Sequence, residues 1–209
     1  MIFAAGFGTR MRHLTKDRPK PMIEVAGRPL IDYAIDLARD LPASAIVTNL
    51  HYKAEVLEQH LQGSGVKLVL EEPEILDTGG GLRNALPHLG TGAVLTLNSD
   101  AIWKGPNPLE HLQKAWEPDK MDALLMSVPR ARAVGYKGPG NFLADAQGRA
   151  IRGDGLVFGG AQIMKTDLLH NIDANCFSLN RVWAVSYTHL TLPTIRRGCW
   201  WGGGGGGGV

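Results

Sequence analysis

The residues best suited to chemistry in this 209-residue chain lie in its first hundred positions. Gly6 and Gly8 flank Phe7 directly after the apolar run Ile2-Phe3-Ala4-Ala5; Thr9 and Arg10 follow, and Lys20 stands between Pro19 and Pro21. A buried strand that stops at a glycine turn brings backbone N–H groups against an anion with no Cβ in the way. An arginine forks onto phosphate oxygens, and a lysine between two prolines, biased toward an extended backbone, presents its ammonium from a stiff segment. The pattern predicts a phosphate-binding loop over Ala5, Gly6, Gly8 and Thr9, with Arg10 and Lys20 as its cations. Farther on, the apolar run from Ala93 ends in Asn98-Ser99-Asp100. That places a carboxylate at the carboxyl end of a strand, the edge at which open α/β sheets bind ligands. A helix cap or turn acid is the alternative role for Asp100.

The elements around these residues alternate. Ile31, Ala34, Ile35, Ala38 and Leu41 recur at helical spacing, residues 45–49 read as a strand, Ala54, Leu57 and Leu61 mark a second helix, and residues 66–70 a second strand. Leu109, Leu112 and Trp116 indicate a third helix, and residues 122–128 a central strand. Residues 156–164 form an apolar run with Gly159 and Gly160 inside it, which in a strand calls for a bulge or for room beside a ligand. Short runs at Phe142-Leu143 and Ala150-Ile151 predict small antiparallel strands, and the spacing from Phe177 to Trp183 a helix packed back on the sheet. Such repetition predicts an α/β fold: an open, mostly parallel Rossmann-like sheet with helices on both faces.

Taken together, Ala4-Ala5-Gly6-Phe7-Gly8-Thr9-Arg10-Met11, Arg18-Pro19-Lys20-Pro21-Met22 and Gly27-Arg28-Pro29-Leu30 resemble the signature of the sugar-1-phosphate nucleotidyltransferases. Gly6-Phe7-Gly8 also opens a dinucleotide fingerprint, but Met11 stands where its third glycine belongs. The resemblance extends to Leu76-Asp77-Thr78-Gly79-Gly80-Gly81, similar to the family's base-recognising loop, with a flexible turn as the alternative reading. On that basis Thr78, Gly79 and Gly80 are nucleotide-binding candidates, with a helix starting at Gly80 and its free N–H groups facing the site. The resemblance implies the nucleotide-diphospho-sugar transferase fold, a magnesium ion held by Asp100, and sugar contacts from Asn141, Gly160 and Asn180. It further implies attack of a sugar 1-phosphate on the α-phosphorus of a nucleoside triphosphate, with pyrophosphate leaving. Arg10 is then assigned to the β- and γ-phosphates, and Lys20 to the α-phosphate or the incoming sugar phosphate. The second loop and Asn180-Arg181-Val182-Trp183 look most similar to the N-acetylmuramate 1-phosphate uridylyltransferases of cell-wall recycling, which would use UTP. Mannose-1-phosphate guanylyltransferases, which would use GTP, and a catalytically silent nucleotide-sensing domain are the alternatives.

At 44% hydrophobic residues the chain can bury one substantial core, and no run is long enough to cross a bilayer. The two cysteines, Cys176 and Cys199, have neither metal-ligand nor disulfide-framework spacing, which with the absence of a leader ahead of the phosphate loop predicts a cytoplasmic protein. From about residue 185 the pattern changes, ending in Cys199-Trp200-Trp201 and seven glycines. Tryptophan and glycine codons there could come from an almost pure guanine run, so residues 1–184 are expected to form the catalytic domain and 185–209 a non-native tail. In the resembled family a second metal-binding acid lies beyond that point, and no residue here is assigned to it. Without Arg196 and Arg197 the basic residues number 20, equal to the acidic ones, which predicts no nucleic-acid or membrane-surface partner.

Overall fold

The structure is a computed structural model that describes residues 1–90, 92–185, 190–191 and 199–201. Its centre is a short strand, β1 (Ile2–Phe3), followed by 3-10 turns at Thr9–Thr15 and Lys20–Met22 and a small hairpin of β2 (Glu24–Val25) and β3 (Arg28–Pro29). Helix α1 (Leu30–Arg39) leads to β4 (Val47–Leu50), α2 (Ala54–Leu61) to β5 (Lys67–Leu70), and α3 (Asp77–Leu89) to β6 (Ala93–Asn98). After β7 (Ala101–Trp103) and α4 (Pro108–Ala115) come β8 (Ala123–Val128), β9 (Ala133–Val134), the hairpin of β10 (Phe142–Ala144) and β11 (Ala150–Arg152), and β12 (Val157–Lys165). Helix α5 (Leu179–Val185) follows, then β13 (Leu190–Thr191) and β14 (Cys199–Trp201).

Seven strands form the main sheet in the order β13-β8-β12-β6-β1-β4-β5. The pairs β6-β1, β1-β4 and β4-β5 are parallel, and β12 runs antiparallel between β6 and β8. The mostly parallel sheet of the sequence reading is present, with one reversed strand inside it. All six residues of β8 are buried. Leu124 and Met126 join Ile31, Ile35, Leu57 and Leu112 from α1, α2 and α4 on one face, and Ala123 and Leu125 join Leu82, Ala85 and Val182 from α3 and α5 on the other. That is the near-continuous apolar run, interrupted only by Ser127, of a strand covered on both sides. Each fully buried leucine contributes about 1.5–3 kcal/mol, so both layers are held by area more than by any single contact.

The β12 glycines do what an interior strand glycine usually does. The register shifts between Phe158 and Gln162, and Gly160 has φ 81°, so the strand bulges there. A Cβ at Gly159 would overlap the indole of Trp103. The expectation of a tail over residues 185–209 falls mostly outside the described residues; of that stretch, β13 pairs with β8, and β14 pairs with β7 and β9.

Candidate active site

The carboxyl ends of β1, β4 and β6 open on a cavity of about 400 Å³. Ala4, Ala5, Gly6, Gly8, Thr9, Arg10, Lys20, Thr78 and Asp100 all border it, so eight of the residues singled out from sequence come together in one place, beside Ala4. Parallel strands deliver their carboxyl ends to one edge, which is why residues 80 positions apart can meet there.

Gly8 is the residue on which the glycine loop turns. Its φ of 64° is left-handed, and a Cβ would stand 2.8 Å from Thr15 Cγ2 and 3.0 Å from Lys20 Cβ. Gly8 therefore serves two purposes, permitting the turn and letting the Lys20 segment pack against it. Its carbonyl accepts from the Met11 N–H at 2.8 Å and from the Thr15 hydroxyl at 3.1 Å. Gly6 has no positive φ, and a Cβ there would meet nothing within 4 Å, so neither the backbone nor the packing of the loop requires a glycine at this position. The half-exposed Phe7 leans edge-on against His51 and Tyr52, with ring centroids 5.3 and 5.8 Å away.

Lys20 is stiffly held, though in a different conformation from the extended one expected. It begins the 3-10 turn, with Pro19 extended before it and Pro21 in the first turn, a place where a missing N–H costs nothing. Its Nζ donates to Asp100 Oδ2 at 2.6 Å, and both side chains are about four-fifths buried, 18% and 19% exposed. Asp100 Oδ1 is buried and carries no hydrogen bond among the described residues, an orphaned acceptor of the kind an ion or water normally satisfies. A single hard carboxylate beside a glycine loop has the chemistry that magnesium accepts, since the ion takes one or two carboxylates and leaves its remaining positions to other oxygens and water. No group of three or more His, Cys, Asp or Glu suited to a metal occurs among the described residues.

The glycine run needs correction. Helix α3 begins at Asp77, three residues before Gly80, so Gly79, Gly80 and Gly81 lie inside its first turns, buried. The N–H groups of Gly79 and Gly80, expected to serve the nucleotide, both donate to Phe177 O at 2.8 and 3.0 Å. A Cβ at Gly79 would overlap the Phe177 ring, and one at Gly80 would overlap Asn175 O. These two glycines allow α3 to press against residues 175–177, which explains their small size without a ligand. Thr78 does border the cavity, and its hydroxyl oxygen accepts from the Leu179 N–H at 3.0 Å, so it also fastens α3 to α5.

The three sugar-side candidates do not border the cavity. Asn141 Oδ1 accepts from the Phe158 N–H at 3.0 Å, and Asn180 Oδ1 accepts from Arg152 Nη2 at 2.5 Å on the exposed surface. Gly160 sits behind the site, where a Cβ would lie 3.0 Å from Asn98 Cβ; Asn98 itself borders the cavity. Sequence reasoning missed Asn98 and also Asn49, Glu71 and Asp77. Glu71 is a polar residue directly after the apolar end of β5, and Asn49 a polar residue inside the buried β4, the one signal that could have found them.

The MobA-like NTP transferase domain matches residues 1–170. The N-acetylmuramate alpha-1-phosphate uridylyltransferase of Caulobacter vibrioides is 35% identical over 197 residues, covering 88% of this chain and 81% of that protein. The protein of the same name from Neisseria meningitidis is 32% identical over 183 residues, covering 83% of this chain and 78% of its own. Among solved structures, HddC from Yersinia pseudotuberculosis, complexed with GMP-PN, superposes with a TM-score of 0.77 over 95% of this chain and 90% of its own at 20% identity, a likeness of fold alone. With the domain match spanning most of the sequence, the chain belongs to the MobA-like NTP transferase family.

Proposed function

We propose that this chain transfers a nucleotidyl group from a nucleoside triphosphate to a sugar 1-phosphate, and that the pair it uses is UTP and N-acetylmuramate 1-phosphate. The substrate pair is supported by the two relatives that carry that activity in their names and align over more than four-fifths of this chain. The observation that carries the reaction class is the placement of Arg10, Lys20 and Asp100 around one cavity with the glycine loop.

In the reaction a phosphate oxygen of the sugar 1-phosphate forms a bond to the α-phosphorus, the bond to the β-phosphate oxygen breaks, and pyrophosphate departs with that electron pair. Both reactants are anions, so the protein's work is alignment and charge stabilisation. The loop at Ala5, Gly6, Gly8 and Thr9 offers donors to the triphosphate, Arg10 holds the departing β- and γ-phosphates, and Lys20 turns to the α-phosphate or to the incoming phosphate. Asp100 is the residue that would hold magnesium, which would offset phosphate charge when bound. Without substrate, Lys20 and Asp100 neutralise each other, so the two charges stay partnered in the largely buried site.

Pyrophosphate release, measured with UTP, GTP, CTP and dTTP against N-acetylmuramate 1-phosphate and mannose 1-phosphate, tests this reading. The expected result is turnover with UTP and the muramate. Turnover with GTP and mannose 1-phosphate alone would transfer the assignment to a guanylyltransferase, and nucleotide binding without pyrophosphate release by any pair would make the chain a nucleotide sensor.

A further inference from the structure

Two polar residues bordering the cavity take no part in the chemistry above, and both are deeply buried: Asn49 at 3% exposure and Glu71 at 1%. Asn49, inside β4, accepts a hydrogen bond from the Ala4 N–H at 2.9 Å through Oδ1 and donates from Nδ2 to Glu71 Oε1 at 2.6 Å. Glu71, one residue past β5, accepts from the Leu76 N–H at 2.8 Å through its other oxygen, Oε2. Its backbone is pinned as well, since its N–H donates to Leu50 O at 2.8 Å and its carbonyl lies 2.9 Å from His51 Nδ1. A continuous bridge therefore runs from Ala4, where the phosphate loop begins, through the ends of β4 and β5, to Leu76, next to Asp77 and Thr78 on the opposite wall.

Stability alone does not select such an arrangement. A carboxylate buried without an ion-pair partner among the described residues costs solvation that an apolar side chain would not lose. What the carboxylate adds is direction: both of its oxygens can only accept, so it fixes the orientation of the Asn49 amide, which then points its oxygen at Ala4. The fold also keeps room for the bridge. A Cβ on Gly81 would overlap Glu71 Oε1 and lie 2.9 Å from Asn49 Nδ2, so the third glycine of the run is explained by this contact.

We propose that Asn49 and Glu71 are a positioning pair that sets the distance and angle between the phosphate loop and the Asp77-Thr78 wall, and so governs nucleotide affinity without touching the reacting atoms. The inference rests on the nucleotide-binding reading of the cavity. Its test is a swap of donor and acceptor. In Glu71→Gln the new amide NH₂ must face either Asn49 Nδ2 or the Leu76 N–H, donor against donor. In Asn49→Asp a carboxylate oxygen faces Glu71 Oε1, acceptor against acceptor. The double variant Asn49→Asp/Glu71→Gln restores every bond: the carboxylate at position 49 accepts from Ala4 and from the amide at 71, whose oxygen accepts from Leu76.

The measurements are the dissociation constants for UTP and GTP by calorimetric titration with magnesium, the KM of each substrate, and the melting temperature. Each single variant is expected to weaken nucleotide binding at least tenfold while the KM for the sugar phosphate stays within about threefold, and the double variant to return to within about threefold of the parent. Single variants that melt lower yet bind nucleotide as before would overturn the proposal, as would a double variant that fails to regain binding. If the parent binds nucleotide but releases no pyrophosphate, the transfer reaction fails while the bridge remains testable by binding.

Discussion

On one side of the sheet, where β5, β4, β1 and β6 run parallel, polar residues gather at the strand ends and face a common cavity; on the other, across β12 and β8, they are taken up by contacts within the protein, away from that cavity. Lys20, Asp100, Asn98, Asn49 and Glu71 belong to the first side and border the same space. On the second side Asn141 serves the Phe158 N–H, Gln162 accepts from the Trp183 indole at 2.9 Å, and Asn180 is taken by Arg152. The difference follows from strand direction. Parallel neighbours bring every carboxyl end to one edge, where loops must leave polar groups for a ligand. The antiparallel β12 turns its own ends the other way round, and the hydrogen bonds near it close among residues of the protein.

The strongest test of the contrast removes the cation from the first side. Lys20→Ala takes away the group 2.6 Å from Asp100 that is proposed to meet the developing charge. By comparison with the loss of one preorganised donor in other enzymes, kcat should fall by about 10²–10³. Rapid-quench or steady-state pyrophosphate assays would show it. Most of the turnover surviving in Lys20→Ala would place the catalytic charge elsewhere.

Much of the first side was legible because its signals are local. The glycine turn at Gly8, the rigid Lys20 and the apolar run of β8 are each written in fewer than about ten consecutive residues, and the structure keeps them in their expected places. The misread parts depend on partners far along the chain. Gly79 and Gly80 look like an open loop until Phe177 is placed against them, nearly a hundred residues later. Asn49 and Glu71 are 22 positions apart and form no motif, since only the pairing of β4 with β5 brings them together. The reversed direction of β12 was invisible for another reason: a strand buried on both faces has the same apolar run whether its neighbours are parallel or antiparallel.

The smallest expected effect lies on the second side and decides whether the contrast holds. Asn141 was attractive as a sugar contact, yet its oxygen accepts from the Phe158 N–H at the start of the bulged strand, and its own N–H donates to Leu156 O at 2.8 Å. Asn141→Ala leaves the Phe158 N–H without its partner, which should lower stability by about 1 kcal/mol. Because Asn141 does not border the cavity, the KM for the sugar phosphate should change less than about twofold. A variant that melts normally but needs tenfold more sugar phosphate would reverse the conclusion. It would mean that the cavity extends across β12 once substrate is bound, and that the two sides of the sheet share the site rather than dividing chemistry from scaffold.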